Sequence, residues 1–302
     1  MKINFKLGVL PKLALLLATL IWGSSFVMMK NTVSEIPVNF LLAIRFTGAF
    51  AILSVIFIKK WKSINKSYVI TGVSMGMCLY FAYCLQTYGL TTTTPGKNAF
   101  LTSAYCVIVP FLFWAADKNR PKTDNIFAAF LCVLGIGFVS LTESFVIQIG
   151  DALTLGGGFM YAAHIVVIAK LGKKLDPILL TIIQFGTSAI IAWSASLIFE
   201  GVPSFTQVFS SNEVLFSLLY LSVMCTAVGL LLQTAGQKHT HPSAASIILS
   251  LEGVFGVVFS VILYNEEMTI KLVFGFVLIF ISVLVSEVKP ISRIRARKVR
   301  GI

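Results

Sequence analysis

The sequence predicts an all-α membrane protein with ten transmembrane helices, built as two inverted five-helix repeats with both termini cytoplasmic. Three observations lead there. Hydrophobic residues make up 57% of the chain and charged residues 12%, and the mean hydropathy is +0.91; a soluble domain carries about 25% charged residues. A chain of 302 residues this apolar cannot hide its surface inside one core, so it belongs in lipid. Second, ten stretches of about 20 apolar residues follow one another with short connections and no soluble domain between them. Third, one motif occurs twice, and the basic residues are sorted onto one side.

Taken in order, the first stretch, 11–30, carries Trp22 and Ser25, and the second, 37–58, carries Arg45 near mid-depth. The third, 68–90, has Gly72 and Gly76, then Tyr80, Tyr83, Cys84 and Thr87 on one helical face with Gln86 beside it. The fourth, 96–115, places Asn98, Thr102 and Tyr105 on one face, and the fifth, 124–142, contains Gly135 and Gly137. The sixth, 151–170, contains Gly156 to Gly158 and sets Tyr161 one turn before His164. The seventh and eighth span 176–199 and 213–236. The ninth, 242–263, holds Glu252 near mid-depth beside Gly253, and the tenth spans 270–288. Interior glycines let helix backbones approach closely where lipid supplies no hydrophobic drive.

The repeat lies between stretches. Residues 86–96 read QTYGLTTTTPG and 233–243 read QTAGQKHTHPS, 147 residues apart with no gap. Gln86/Gln233, Thr87/Thr234, Gly89/Gly236 and Pro95/Pro242 coincide. Each copy reads as an apolar helix ending at Gly, a short polar hinge, and a Pro opening the next helix, where its missing N–H does no harm. On this reading Gln86 and Gln233 are hydrogen-bonders of the hinges. The repetition divides the chain into a first repeat at 11–142, a second at 150–288 and a basic cytoplasmic tail at 289–302. Five helices is an odd number, so the second repeat enters the membrane from the opposite side. Secondary transporters are built this way, with the site near the midplane.

Orientation follows from Lys and Arg. With the N-terminus cytoplasmic, the cytoplasmic segments hold 20 of the 24 basic residues. The outer loops hold three, Lys30, Lys97 and Lys271, and Arg45 lies inside helix 2. The net charge of +12 is therefore a topological signal facing anionic lipid rather than a nucleic-acid footprint. The five cysteines fall inside apolar runs at no ligand-like spacing, and nothing presents three or four converging metal ligands. The first run is too long for a signal peptide and lacks a cleavage site. No nucleophile elbow, phosphate loop or acid cluster suggests an enzyme or a cofactor.

Several motifs carry a family likeness: Trp22-Gly23-Ser24-Ser25-Phe26, Arg45-Phe46, Asn98-Ala99-Phe100-Leu101-Thr102 leading to Val109-Pro110, Gly150-Asp151, Ala163-His164-Ile165-Val166, and Ser250-Leu251-Glu252-Gly253-Val254-Phe255 leading to Asn265-Glu266. Their order resembles the drug/metabolite transporter superfamily, specifically its EamA-type ten-helix exporters, over about residues 11–288. Where that family usually has Pro after the Glu of helix 9, this chain has Gly253. The resemblance implies an inner-membrane exporter of small metabolites or amino acids working by alternating access. Small four-helix relatives couple efflux to protons through a Glu in their first helix; this chain has no matching residue, so that coupling does not carry over.

The residues themselves point the same way. A charge at a helix centre costs about 2.5–3.5 kcal/mol on insertion scales, so Arg45 and Glu252 are candidates for binding the charged ends of a substrate, or else form a structural pair. His164 can exchange protons near neutral pH or simply tie helices together. Trp22, Ser25, Tyr80, Tyr83, Asn98, Thr102, Tyr105 and Tyr161 are candidate wall residues for an organic substrate with a polar end, or interhelical hydrogen-bonders. Helices 4 and 9 are the expected cavity walls, since the repeat maps Tyr105 onto Glu252. The expected partners are a small-molecule substrate and membrane lipid, not nucleic acid, with the chain a monomer or homodimer. Competing readings are a carrier of a vitamin, nucleotide sugar or cationic drug, an intramembrane lipid-modifying enzyme, and a passive channel.

Overall fold

A computed structural model of the chain describes residues 9–118, 120–140, 147–201, 211–240 and 242–288. The basic tail and His241 lie outside them. In lipid every backbone N–H and C=O must be paired within the chain, which long apolar segments achieve as helices. The described residues accordingly form helices and no strand. In chain order they are α1 Leu10–Thr32, α2 Val38–Ile56, α3 Lys66–Thr92, α4 Pro95–Ala116, α5 Thr123–Ser140, α6 Ile149–Leu171, α7 Pro177–Glu200, α8 Asn212–His239, α9 Pro242–Tyr264 and α10 Ile270–Val288. Seven, α1 to α4 and α6 to α8, are long and apolar enough to cross a membrane; the apolar parts of α5, α9 and α10 are shorter.

Local sequence sets the ends. The Asn65 side chain accepts from the amides of Ser67 and Tyr68 to start α3, and Asp176 does the same for Ile178 and Leu179 at the start of α7. Pro95 sits in the first turn of α4, and Lys118 at φ 58° takes the chain off its end. The largest departure from the sequence reading is α8. It runs past Gly236 to His239 and contains a π-helical stretch, Leu221–Val228. α3 likewise runs past Gly89 to Thr92.

Those two glycines are therefore not helix terminators. A Cβ at Gly89 would stand 2.6 Å from the Gly150 carbonyl oxygen, and one at Gly236 would stand 2.9 Å from that of Pro11. They are crossing points, of α3 with α6 and of α8 with α1. Other glycines mark further crossings: Gly135 and Gly275 between α5 and α10, and Gly253 and Gly256 of α9 against Ser103 and Ala99 of α4. α9 runs unbroken through Gly253, which brings it to Ser103.

The pairings form matched sets. α2 packs on α7 and α5 on α10; α3 lies on α6 and α7 as α8 lies on α1 and α2; α1 meets α9 as α4 meets α6. Two pairs of helices five apart, α2 with α7 and α5 with α10, run antiparallel: Phe40 meets Trp193 while Phe50 meets Gly186, and Val139 meets Gly275 while Gly135 meets Ile279. The outer faces carry exposed Phe130, Val133, Ile190, Ile198 and Phe199, as lipid-facing helices require.

Candidate functional site

α1, α3, α4, α6, α8 and α9 converge on a central cavity of about 30 Å³, lined by Trp22, Ser25, Phe26, Tyr83, Gln86, Tyr105, Tyr161, Ile165, Leu230, Gln233 and Glu252. The crossings put them there. Close approach of Gly157 to Ala82 and Gln86 brings Tyr161 onto α3, where its hydroxyl donates to Gln86 Oε1 at 2.9 Å. The Gln86 amide then donates to Thr102 Oγ1 at 3.0 Å. Tyr83 and Tyr161 pack edge to face with centroids 5.4 Å apart, and Tyr105 donates to Glu252. The Trp22 indole N–H donates to the Cys225 carbonyl at 2.8 Å, within the π-helical stretch. Such wide turns recur at functional sites.

Arg45 is fully buried behind this wall. Its Nε donates to Thr226 Oγ1, its Nη2 to the Tyr83 hydroxyl at 3.3 Å, and its guanidinium lies 4.4 Å from the Tyr83 ring centroid. It has no carboxylate partner among the described residues, so it forms no structural pair with Glu252. Tyr83 and Tyr161 stand within electrostatic range of both.

Six of the eleven residues singled out from sequence thus face the cavity: Trp22, Ser25, Tyr83, Tyr105, Tyr161 and Glu252. Arg45 and Thr102 stand one contact behind. The other three serve elsewhere. His164 is buried and bonds Gln184 at 2.8 Å, tying α6 to α7. Asn98 donates to the Gln86 carbonyl and to Thr154 Oγ1, and Tyr80 donates to Asn39 in a cluster with Tyr88 and Glu200.

Sequence reasoning assigned Gln86 and Gln233 to the hinges, yet both face the cavity, because α3 and α8 continue beyond their glycines. The repeat itself was the available signal. The 147-residue offset pairs Tyr83 with Leu230, Gln86 with Gln233 and Tyr105 with Glu252, and both members of each pair line the cavity. Since Gly89 meets Gly150 as Gly236 meets Pro11, α1 and α6 correspond at an offset of 139 residues. That offset pairs Trp22 with Tyr161 and Phe26 with Ile165, again all in the lining.

The two ends of the cavity differ. At the end bearing the 92–95 hinge, polar contacts hold the hinge from three sides. Lys30 Nζ donates to the carbonyls of Leu90, Thr91 and Thr93. Asp151, fully buried, accepts from Thr93 Oγ1 at 3.0 Å and pairs with Lys97 Nζ at 2.6 Å. Glu266 accepts from Thr94 Oγ1, the Gly96 amide and Ser260 Oγ. Asp151 and Glu266 stand in the sequence motifs Gly150-Asp151 and Asn265-Glu266 but not among the candidate site residues, since they sit at helix ends. At the opposite end, a vestibule of about 410 Å³ lies among the ends of α6, α7, α8 and α9, with Ile165 lining both it and the central cavity.

The family pattern of EamA-like transporters matches residues 10–141 and again 148–287. The chain belongs to the EamA-like transporter family. An uncharacterized transporter of Archaeoglobus fulgidus is 30% identical over 277 residues, covering 92% of this chain and 85% of that one. The uncharacterized transporter YoaV of Bacillus subtilis is 23% identical over 274 residues, with 88% and 93% covered. A solved crystal structure shares the fold at a TM-score of 0.68 and 13% identity, covering 92% of this chain and 97% of the other. This EamA-like protein is thus a multi-pass membrane protein of a transporter family.

Proposed function

We propose that this EamA-like protein is a ten-span secondary transporter that exports small organic metabolites, amino acids foremost, across the inner membrane by alternating access. Its two five-helix repeats are inverted and both termini are cytoplasmic. The observation that carries the reading is the central cavity, lined by residues that correspond between the halves at 147 or 139 residues, with a polar-gripped hinge at one end and at the other a vestibule that shares Ile165 with it. Antiparallel packing of α2 on α7 and of α5 on α10 supports the inversion. The vestibule end carries Lys60, Lys170, Lys173, Lys174 and Lys238, which supports its being cytoplasmic.

At about 30 Å³ the central cavity holds one water, so substrate fits only after the walls part. Trp22, Phe26, Ile165 and Leu230 then face the apolar part of an amino acid. Arg45, behind Tyr83, faces its carboxylate, and Glu252 faces its ammonium group. The hinge-end contacts break and the vestibule closes as the pocket turns to the outer side. Reconstitution in liposomes tests this: preloaded unlabelled amino acid drives uptake of the labelled one. No exchange above empty vesicles across a broad amino-acid panel refutes the substrate class.

A further inference from the structure

We infer that the vestibule is a loading site for organic carboxylates bearing an apolar body; the inference rests on the transport reading and names the charge its inner mouth selects. The vestibule's volume, about 410 Å³, is in the range of small-molecule sites. Its floor is apolar, with Ile168, Leu180 and Ala245. Every charged or titratable side chain in its lining is basic: Lys173, Lys238 and His239. Neither lysine has a carboxylate partner among the described residues; Lys238 Nζ donates to the Leu175 carbonyl at 2.8 Å. Asp176, close by in the chain, is outside the lining and already committed to its cap on α7 and its 2.5 Å pair with Lys60. An anion entering here meets attraction from the rim with no opposing acid in the wall.

A second observation points to a ligand. Gln233, Gln237 and Thr240 lie at i, i+4 and i+7 of α8 and its end, one track from the central cavity into the vestibule. Gln233 Oε1, Gln237 Oε1 and Thr240 Oγ1 are all buried without a hydrogen-bond partner among the described residues. Gln233 is 5% exposed and Thr240 8%. Buried polar atoms seldom go unpaired, because each carries its full desolvation penalty. A polar solute moving along α8 satisfies them in turn. The track runs from the lysines at the mouth toward the buried Arg45, so a carboxylate has a cation at both ends of its path.

The test needs no flux. Ala245→Cys, and separately Thr240→Cys, are labelled in purified protein with an anionic sulfonatoethyl and a cationic trimethylammonioethyl methanethiosulfonate. Rates are corrected for background from the native cysteines and scaled to a free thiol. Expected is an anion preference of roughly fivefold or more at low salt, falling toward unity in 1 M salt and in Lys173→Gln/Lys238→Gln. Phenylacetate slows labelling, and phenethylamine of the same apolar body does not. A scaled ratio at or below unity, or equal protection by the amine, overturns the inference. A flat ratio refutes the vestibule while counterflow stands. Absent counterflow with the anion preference intact refutes amino-acid transport and supports the carboxylate site.

Discussion

Consider Asp151→Asn, which tests whether the hinge-end contacts hold the transporter closed on that side. Asp151 is fully buried, and Lys97 keeps 12% of its side chain exposed at 2.6 Å from it. Removing one partner of a fully buried ion pair costs about 3–5 kcal/mol. Two features lower that here. Asn still accepts from Thr93 Oγ1, and the Lys97 ammonium can turn to the water it already touches. About 1–3 kcal/mol remains, a factor of roughly 5–150 in the equilibrium between the closed and open hinge end. The assay places a cysteine in the central cavity by Ser25→Cys and applies a membrane-impermeant maleimide to intact cells. Labelling should quicken by about fivefold or more in Asp151→Asn. Adding Lys97→Met should quicken it little further, because the pair is already broken. Unchanged labelling in Asp151→Asn, with the protein inserted, refutes the claim that this pair seals the outer side.

Two further predictions follow from the cavity wall. Arg45→Ala and Glu252→Gln should each lower counterflow by about tenfold or more while leaving membrane insertion intact; wild-type rates in both remove them from the site. Gln86→Leu and Gln233→Leu should separate stability from transport. Gln86 holds Tyr161 and Thr102 together, so its loss removes two hydrogen bonds of the cavity wall and destabilises by about 1–3 kcal/mol. Gln233 Oε1 has no partner to lose among the described residues, so Gln233→Leu should leave thermal stability in detergent unchanged or raised and still slow transport. Equal melting shifts for the two contradict the assignment.

Most of the helix pattern was legible because hydropathy and glycine spacing report directly on lipid-facing and crossing surfaces. Trp22, Tyr105, Tyr161 and Glu252 were legible as a polar and aromatic set within otherwise apolar runs. What could not be read was the phase of each helix against its neighbours. His164 and Tyr161 are one turn apart, yet only Tyr161 faces the cavity, because the approach of Gly157 to Gln86 sets the rotation of α6. The π-helical stretch of α8 is equally invisible in composition, though it supplies Thr226 to Arg45 and the Cys225 carbonyl to Trp22.

The same lesson explains why two hinges so alike in sequence behave differently. The hinge at 92–95 is gripped by Asp151 from α6 and Glu266 beyond α9. Carried across the proposed repeat at 139 and 147 residues, those positions become Lys12 and Asn119. Lys12 is exposed on α1, and Asn119 lies outside the described residues. The second hinge therefore has no corresponding acid to anchor it, and the vestibule opens beside it. A carrier with equal latches at both ends would gain nothing by closing either one. On the proposed export reading, acids at one hinge only bias the resting state toward the vestibule side, where the solute would load, and leave outward opening to be driven by what the central residues bind.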